Sequence, residues 1–559
     1  MNKNFPVLLL HSLCIYLLNA ESLVEISQGI LNGTIQVSRN GRIYSAFLGI
    51  PFGKPPIGNL RFANPVPAGK WSGIRPANSF GNICVQNDKG HIRGKEDCLF
   101  LNVYTPRLQF NSSSTLLPVM VWIHGGSFNS GSSNMFGAQY LLDKDVILVT
   151  INYRLGIFGF LSTGDSVAPG NFGMKDQVLA LKWVQKNIQA FGGDNNRVTL
   201  LGQSAGGASV SLHAISKASS GLFHRYIIQS GPNLSPWAYQ KRSNYVIFIR
   251  GIAALVFCPF FTSHSAVHCL RNKSVKSLIK TSAIFGTIAR FAQLTWTPTD
   301  EPDDEGAFLT DSPQNLVKQN QMKDLPFISG VTSDEGLFVT SGLYSNDVLY
   351  GVVKLSLNNL ITYFADYYFE SKNKDGFTAA VKNFYFNDTL ISTGKYEFLE
   401  RLTRLVSDGF FHYPQLTMLQ KVTPKMNSSN YFYNFGYLGT AAGPYSRMKN
   451  NGNHGVGHEE EVRYIFSVPS LFSKFTNLNH TKIDTSISKL MVDMWTSFAS
   501  NGKPISNELN KYDLWKPYTP ENPSHLQIGS IHNNTDPGIS LSNTFHTNRM
   551  DFWRKYAPI

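Results

Sequence analysis

Three uninterrupted apolar runs stand out along the chain: Leu117-Pro-Val-Met-Val-Trp-Ile123, Val146-Ile-Leu-Val-Thr-Ile151 and Val198-Thr-Leu-Leu201. Short runs of this kind predict strands buried on both faces. Between them, Lys175 to Ala190 has helical periodicity, with Leu179, Trp183 and Ile188 on one face. The stretch from about Ile30 to Val103 is patterned differently. Short alternating segments, among them Ile43 to Ile50 and Leu99 to Tyr104, are separated by Gly and Pro. They predict an antiparallel start. Further strands are predicted at Lys323 to Gly330 and Asn430 to Phe435, and residues from about 345 to 425 read as a helical cap. Strand and helix alternate through the middle of the chain. That pattern implies an α/β architecture: a large, mostly parallel central sheet with helices on both faces.

The ends and the cysteines suggest a compartment. Lys3, the apolar run Phe5 to Leu18 and the small-residue site Leu18-Asn19-Ala20 read as a signal peptide over residues 1–20. The run is too short to span a membrane comfortably. Residues 21–559 then form a single domain, since no low-complexity linker, heptad run or internal repeat divides them. The C-terminal Met550 to Ile559 has neither a hydrophobic tail nor a retention signal, so no membrane anchor is expected. Cys14 lies in the leader. The other four allow three pairings, of which sequence proximity favours Cys84–Cys98 with Cys258–Cys269, two short staples on loops. Each would contribute on the order of 2–4 kcal/mol. Sequons at Asn32, Asn111, Asn272, Asn387, Asn427, Asn479 and Asn533 fit a secreted glycoprotein. An eighth, at Asn233, is set aside because Pro236 follows its Ser235.

The formal net charge of +13 raises nucleic acid as a partner, but the basic residues are scattered and no basic-plus-aromatic module stands out. A solvated basic surface is the expected reading. No metal is expected, because the cysteines are not in C-x-x-C pairs and no His cluster accompanies them.

The chemistry centres on Gly202-Gln203-Ser204-Ala205-Gly206, directly after the Val198 strand and before a segment that can continue as a helix. A strand, a tight turn carrying a serine between glycines, and a helix make a nucleophile elbow. A nucleophilic Ser204 needs a base, an orienting carboxylate and oxyanion donors. Trp122-Ile-His-Gly-Gly-Ser-Phe128 supplies a glycine loop after a strand, so the N–H groups of Gly126 and Ser127 are the expected donors, joined by that of Ala205. Gly330-Val-Thr-Ser-Asp-Glu-Gly336 offers Asp334 or Glu335 as the acid. Asn453-His-Gly-Val-Gly-His458 offers His454 or His458 as the base. The residues alone leave both choices open. The acidic residues after His458 would fix its loop or raise its pKa.

Together these motifs resemble the carboxylesterase/cholinesterase family of α/β-hydrolases, especially insect carboxylesterases. Gly49-Ile-Pro-Phe-Gly-Lys-Pro-Pro56, Leu60-Arg-Phe62, Glu96-Asp-Cys-Leu-Phe-Leu-Asn-Val103, Asn152-Tyr-Arg-Leu-Gly156, Asn171 to Gln177 and Phe191-Gly-Gly-Asp194 extend the likeness over nearly the whole mature chain. The resemblance implies an α/β-hydrolase fold with Glu335 and His458 completing the triad, and it supports the two cysteine pairings. It implies a cofactor-free serine esterase acting on small, uncharged hydrophobic esters. Gln203, where the family often has Glu, resembles juvenile hormone esterases, so a dedicated hormone esterase is the alternative. A slow ligand-sequestering or adhesion protein of the same fold is another. The segment from Val85 to Lys95 lacks the Trp of cholinesterases, which disfavours acetylcholine as substrate.

Overall fold

The computed structural model of the chain describes residues 22–559 apart from 89, 109–114, 289–295, 370, 388–393, 441–442, 444, 449–451, 469–480, 511–514 and 530–537. The leader and the sequons at Asn111, Asn479 and Asn533 lie outside the described residues.

Eleven strands form the main sheet: β1 (Thr34–Val37), β2 (Ile43–Pro51), β3 (Phe100–Thr105), β4 (Leu117–Ile123), β5 (Ile147–Ile151), β6 (Gly193–Gln203), β7 (Arg225–Gln229), β8 (Phe327–Thr332), β9 (Asn430–Phe435), β10 (His525–Ile528) and β11 (Ile539–Ser542). Their spatial order is β11-β10-β9-β8-β7-β6-β4-β5-β3-β2-β1. The run from β10 to β5 is parallel. The margins are antiparallel, β11 on one side and β3, β2 and β1 on the other. The alternating N-terminal segments therefore form the antiparallel start that their pattern predicts.

The continuous apolar runs have a direct cause. Along β4, Val119, Val121 and Ile123 enter one core while Met120 and Trp122 enter the other. Both faces of the strand are covered, so no position is left for a polar residue. On the first face lie α1 (Phe172–Asn187) and α2 (Ala205–Ile215). The long helix Lys482–Asn501 covers the second with Ile487, Leu490, Met491 and Trp495. Helix α1 begins and ends three residues before the periodicity suggests, because residues 188–191 tighten into a 3-10 turn closed by Gly192 at φ 81°. Strand β8 starts later than the pattern suggests, at Phe327 after Pro326.

Helices fill the expected cap segment: Leu337–Tyr344, Asp347–Leu355, Leu357–Tyr367, Lys374–Phe386, Lys395–Ser407 and Tyr413–Val422. The last two are joined through a π-helical turn, Asp408–His412. Both disulfides form, Cys84–Cys98 and Cys258–Cys269. The second is not a loop-to-loop staple, since Cys269 sits within the helix Ser263–Arg271. Among the described residues, no helix is long and apolar enough to cross a membrane.

Candidate active site

Ser204 stands between the end of β6 and the start of α2 with φ 58° and ψ −125°. For a non-glycine residue this backbone is strained and persists only where its surroundings enforce it. The neighbouring glycines explain how. A Cβ at Gly206 would lie 2.0 Å from the Ile123 carbonyl oxygen, and one at Gly202 would lie 2.5 Å from the Gly206 carbonyl oxygen. The elbow packs backbone against backbone, and the Ser204 N–H donates to the Gln229 carbonyl at 2.9 Å. Ser204 caps α2, so the positive end of that helix lies behind it.

The glycine loop after β4 is folded by its own carbonyls. Asn129 and Ser130 both donate to the Gly126 carbonyl, and Gly156 donates to that of Phe128. The Asn129 side chain donates to the Ser127 carbonyl at 2.7 Å. Gly126, Ser127 and Phe128 all adopt positive φ, at 104°, 55° and 59°. With the carbonyls occupied in this way, the N–H groups of Gly126, Ser127 and Ala205 have no backbone partner among the described residues. A Cβ built on Gly125 would lie 3.0 Å from the Ser204 Cβ, so the loop abuts the elbow. Three unspent N–H groups around a serine suit a developing oxyanion. Buried His124 lies behind the loop. Burial lowers its pKa to about 4, and it stacks on Tyr153.

Each of the two sequence ambiguities separates into two roles. Glu335 Oε2 accepts from His458 Nδ1 at 2.5 Å, and its Oε1 accepts the Thr332 N–H at 2.8 Å. Burial pushes the Glu335 carboxyl up, but the His458 charge and hydrogen bond, Ser230 and the Thr332 N–H bring it below its ordinary value. Burial pulls His458 down, and Glu335, aided by Glu459 and Glu461, more than reverses this, so its pKa is raised. Asp334 points elsewhere. Its carboxylate accepts the Val456 N–H at 2.9 Å while its own N–H donates to the Val456 carbonyl. Asp334 therefore holds the loop that carries His458. His454 does not join the site; it stacks on Tyr344 with ring centroids 3.9 Å apart.

The acidic run after His458 does both things its sequence suggests. Glu460 fixes the loop, accepting from the Gly443 N–H and the Ser446 hydroxyl, while Ser446 in turn accepts the Gly457 N–H. Glu461 adds charge. It is fully buried and bonded to Gln229 Nε2 at 3.1 Å, and burial first, then the Glu335 charge, pushes its pKa up to about 8. The other side of the Gln229 amide accepts from Trp495 at 3.2 Å. Gln229, Glu461 and Trp495 are parts of the site that sequence reasoning missed, because only the fold joins residues so far apart. The amide of Gln203, next to the serine, approaches His458 Nε2 at 3.2 Å.

An aromatic wall closes one side. Phe411 and Phe338 lie 5.0 and 5.5 Å from the His458 ring, and Trp237 lies 5.5 Å from Phe411. The π turn sets this wall. Its freed Phe410 carbonyl accepts from both the Ser235 hydroxyl and the Trp237 indole. Asp408, at the start of the turn, is anchored by Arg549, Tyr385 and His412.

Comparison with known proteins gives the likenesses of the whole chain. The family described as "Carboxylesterase family" matches residues 20–553. The chain is 37% identical to Esterase FE4 of Myzus persicae over 90% of its own length and 88% of the relative's. It is 35% identical to Juvenile hormone esterase of Tribolium castaneum, covering 96% of this chain and 94% of that one. With Carboxylesterase 5A of Homo sapiens it shares 33% identity over 92% and 85% of the two chains.

Proposed function

Since the chain belongs to the carboxylesterase family of ester hydrolases, we propose that it is a secreted serine esterase for uncharged, hydrophobic carboxylic esters, with Ser204, Glu335 and His458 as its triad. The observation that carries this reading is the buried 2.5 Å contact of Glu335 with His458 Nδ1 beside the strained Ser204 elbow. Ser204 attacks the ester carbonyl, and His458 takes its proton at Nε2 and passes it to the leaving alkoxide. Glu335 holds the imidazole in the tautomer with a proton on Nδ1 and stabilises its cation. The N–H groups of Gly126, Ser127 and Ala205 receive the oxyanion. Water then cleaves the acyl-enzyme with His458 as base. The wall of Phe338, Phe411 and Trp237 favours apolar substrate groups over charged ones. Secretion is supported by the N-terminal leader pattern and by two disulfides, which persist in oxidising compartments.

The test is hydrolysis of 4-nitrophenyl acetate and butyrate by the purified protein and by Ser204→Ala. Activity that vanishes in the variant is the expected result. A folded wild-type protein with no activity would overturn it. A substrate panel that includes juvenile hormone separates a general esterase from a dedicated hormone esterase.

A further inference from the structure

The basic excess of this chain is not spread evenly. Between Asp194 and Asp300 the sequence contains eleven Lys and Arg and not one Asp or Glu. Within that interval the fold builds a helical projection from α3 (Arg242–Leu255), α4 (Ser263–Arg271) and α5 (Val275–Ile288). Helix α3 packs against both others, and the disulfide Cys258–Cys269 ties the tip of the α3–α4 hairpin to α4. Arg61 anchors the projection to the body through the carbonyls of Arg271 and Lys273.

This projection combines two features. At the tip, Phe257 and Phe261 are 92% and 86% exposed, and Phe260 stacks on Phe261. Along α3, Ile247 and Leu255 are also exposed, at 76% and 51%. Free aromatic rings at a loop tip are costly in water unless something covers them. Elsewhere on the projection, Arg250, earlier on α3, and Lys276 and Lys280, on α5 past the Asn272 end of α4, are exposed and have no carboxylate partner among the described residues. Asp165 and Asp300, which reach the projection from elsewhere, are engaged by Ser263 and Arg242. The charge that looks scattered in sequence thus gathers on the same projection that carries the apolar tip.

We propose that this projection docks on an anionic phospholipid surface, with Phe257 and Phe261 entering the acyl boundary and Arg250, Lys276 and Lys280 facing the headgroups. Charge selects the partner: a basic patch attracts acidic lipids, and aromatic rings insert at the interface between headgroup and chain. A purely polar polyanion would leave the rings in water. The sequon at Asn272 lies past the far end of α4, about 13 Å of helix from the phenylalanine tip. The docking does not depend on the esterase reading, although a lipid surface would also concentrate apolar esters.

Sedimentation of the full-length secreted protein with vesicles tests the proposal. Vesicles of phosphatidylcholine alone are compared with vesicles that also contain phosphatidylserine. Binding should require phosphatidylserine, weaken with salt, and fall at least about tenfold in Phe257→Ser/Phe261→Ser. It should fall about fivefold for each of Arg250, Lys276 and Lys280 changed to Gln. Thermal unfolding and soluble-ester hydrolysis, unchanged in these surface variants, establish that they are folded. The same comparison in Asn272→Gln keeps a glycan from deciding the outcome. The proposal fails if no vesicle is bound or if neither set of substitutions matters. It also fails if heparin is bound without vesicles. A dimer that dissociates in the phenylalanine variant would instead make a second copy of this chain the partner, and would overturn it too.

Discussion

The side-chain amide of Gln203 donates to Nε2 of His458 across 3.2 Å. Because Nδ1 carries its proton toward Glu335, Nε2 presents a lone pair, and the NH₂ end of the amide faces it. That lone pair is also the one a serine hydroxyl needs. Gln203 therefore occupies the lone pair that would accept the serine proton. Replacing it with Glu would set an anion against the ring and favour its protonated form. The acid limb of kcat/KM should move to higher pH by about one unit or more in Gln203→Glu. A pH-rate profile with 4-nitrophenyl butyrate checks this, and an unmoved limb would mean the amide does not govern the base.

Glu335 has the opposite influence on the same limb. It is the chief cause that raises His458 above its ordinary value against the downward pull of burial. In the proposed mechanism His458 must be neutral to act, so wild-type activity should fall as pH drops through that raised value. In Glu335→Gln the limb should shift to lower pH, and kcat should fall by about 10⁴. Both are read from one set of pH profiles.

The proposed oxyanion loop gives a sharper steric prediction. A Cβ at Gly126 would sit 2.1 Å from the Ser130 carbonyl oxygen, on a backbone with φ 104°. Gly126→Ala must unfold this turn and misdirect its N–H. The expected loss is about 10²–10³ in kcat with little change in KM. Steady-state kinetics decide, and a variant of normal kcat would remove Gly126 from the donor set.

Glu461 links the site to stability. Its carboxyl titrates near pH 8 in the folded protein, against about 4.3 when unfolded. A raised folded pKa favours the folded state fully only below the unfolded value. That contribution is lost as pH climbs from the unfolded value through the folded one. Glu461→Gln keeps an acceptor for Gln229 and removes the titration. The variant should melt higher than wild type by on the order of a few degrees at alkaline pH, with the gap closing toward acid. Melting curves across that range are the check.

Asp408 offers a test far from the chemistry. It is fully buried and meets Arg549, Tyr385 and His412. In Asp408→Asn, Arg549 loses its counter-charge, which costs about 3–5 kcal/mol when a buried pair is broken. Denaturant unfolding measures it.

What could be read from the sequence follows physical range. Strands β4 and β9 have the bounds their apolar runs suggest, Leu117–Ile123 and Asn430–Phe435, because burial on both faces leaves a local mark. Strand β6 is longer than its apolar part, since Asp194 to Arg197 extend it through a register shift. The elbow and the glycine loop were also legible, as their strain demands small residues nearby. The choice between Asp334 and Glu335 was not. Adjacent carboxylates are chemically alike, and only the family resemblance selected one. The Gln229–Glu461–Trp495 contacts and the aromatic wall of the π turn join distant segments and left no local trace.

Asp334 and Glu335 have a shared consequence. One fastens the loop of His458, and the other grips its ring. Carboxylate and imidazole come from chain positions 123 residues apart, yet both are tied to one dipeptide at the end of β8. A shift of that strand end would carry the imidazole along with its carboxylate. Carboxylate and imidazole are thus both referenced to the end of β8, whereas Ser204 stands at the end of β6, with β7 between them.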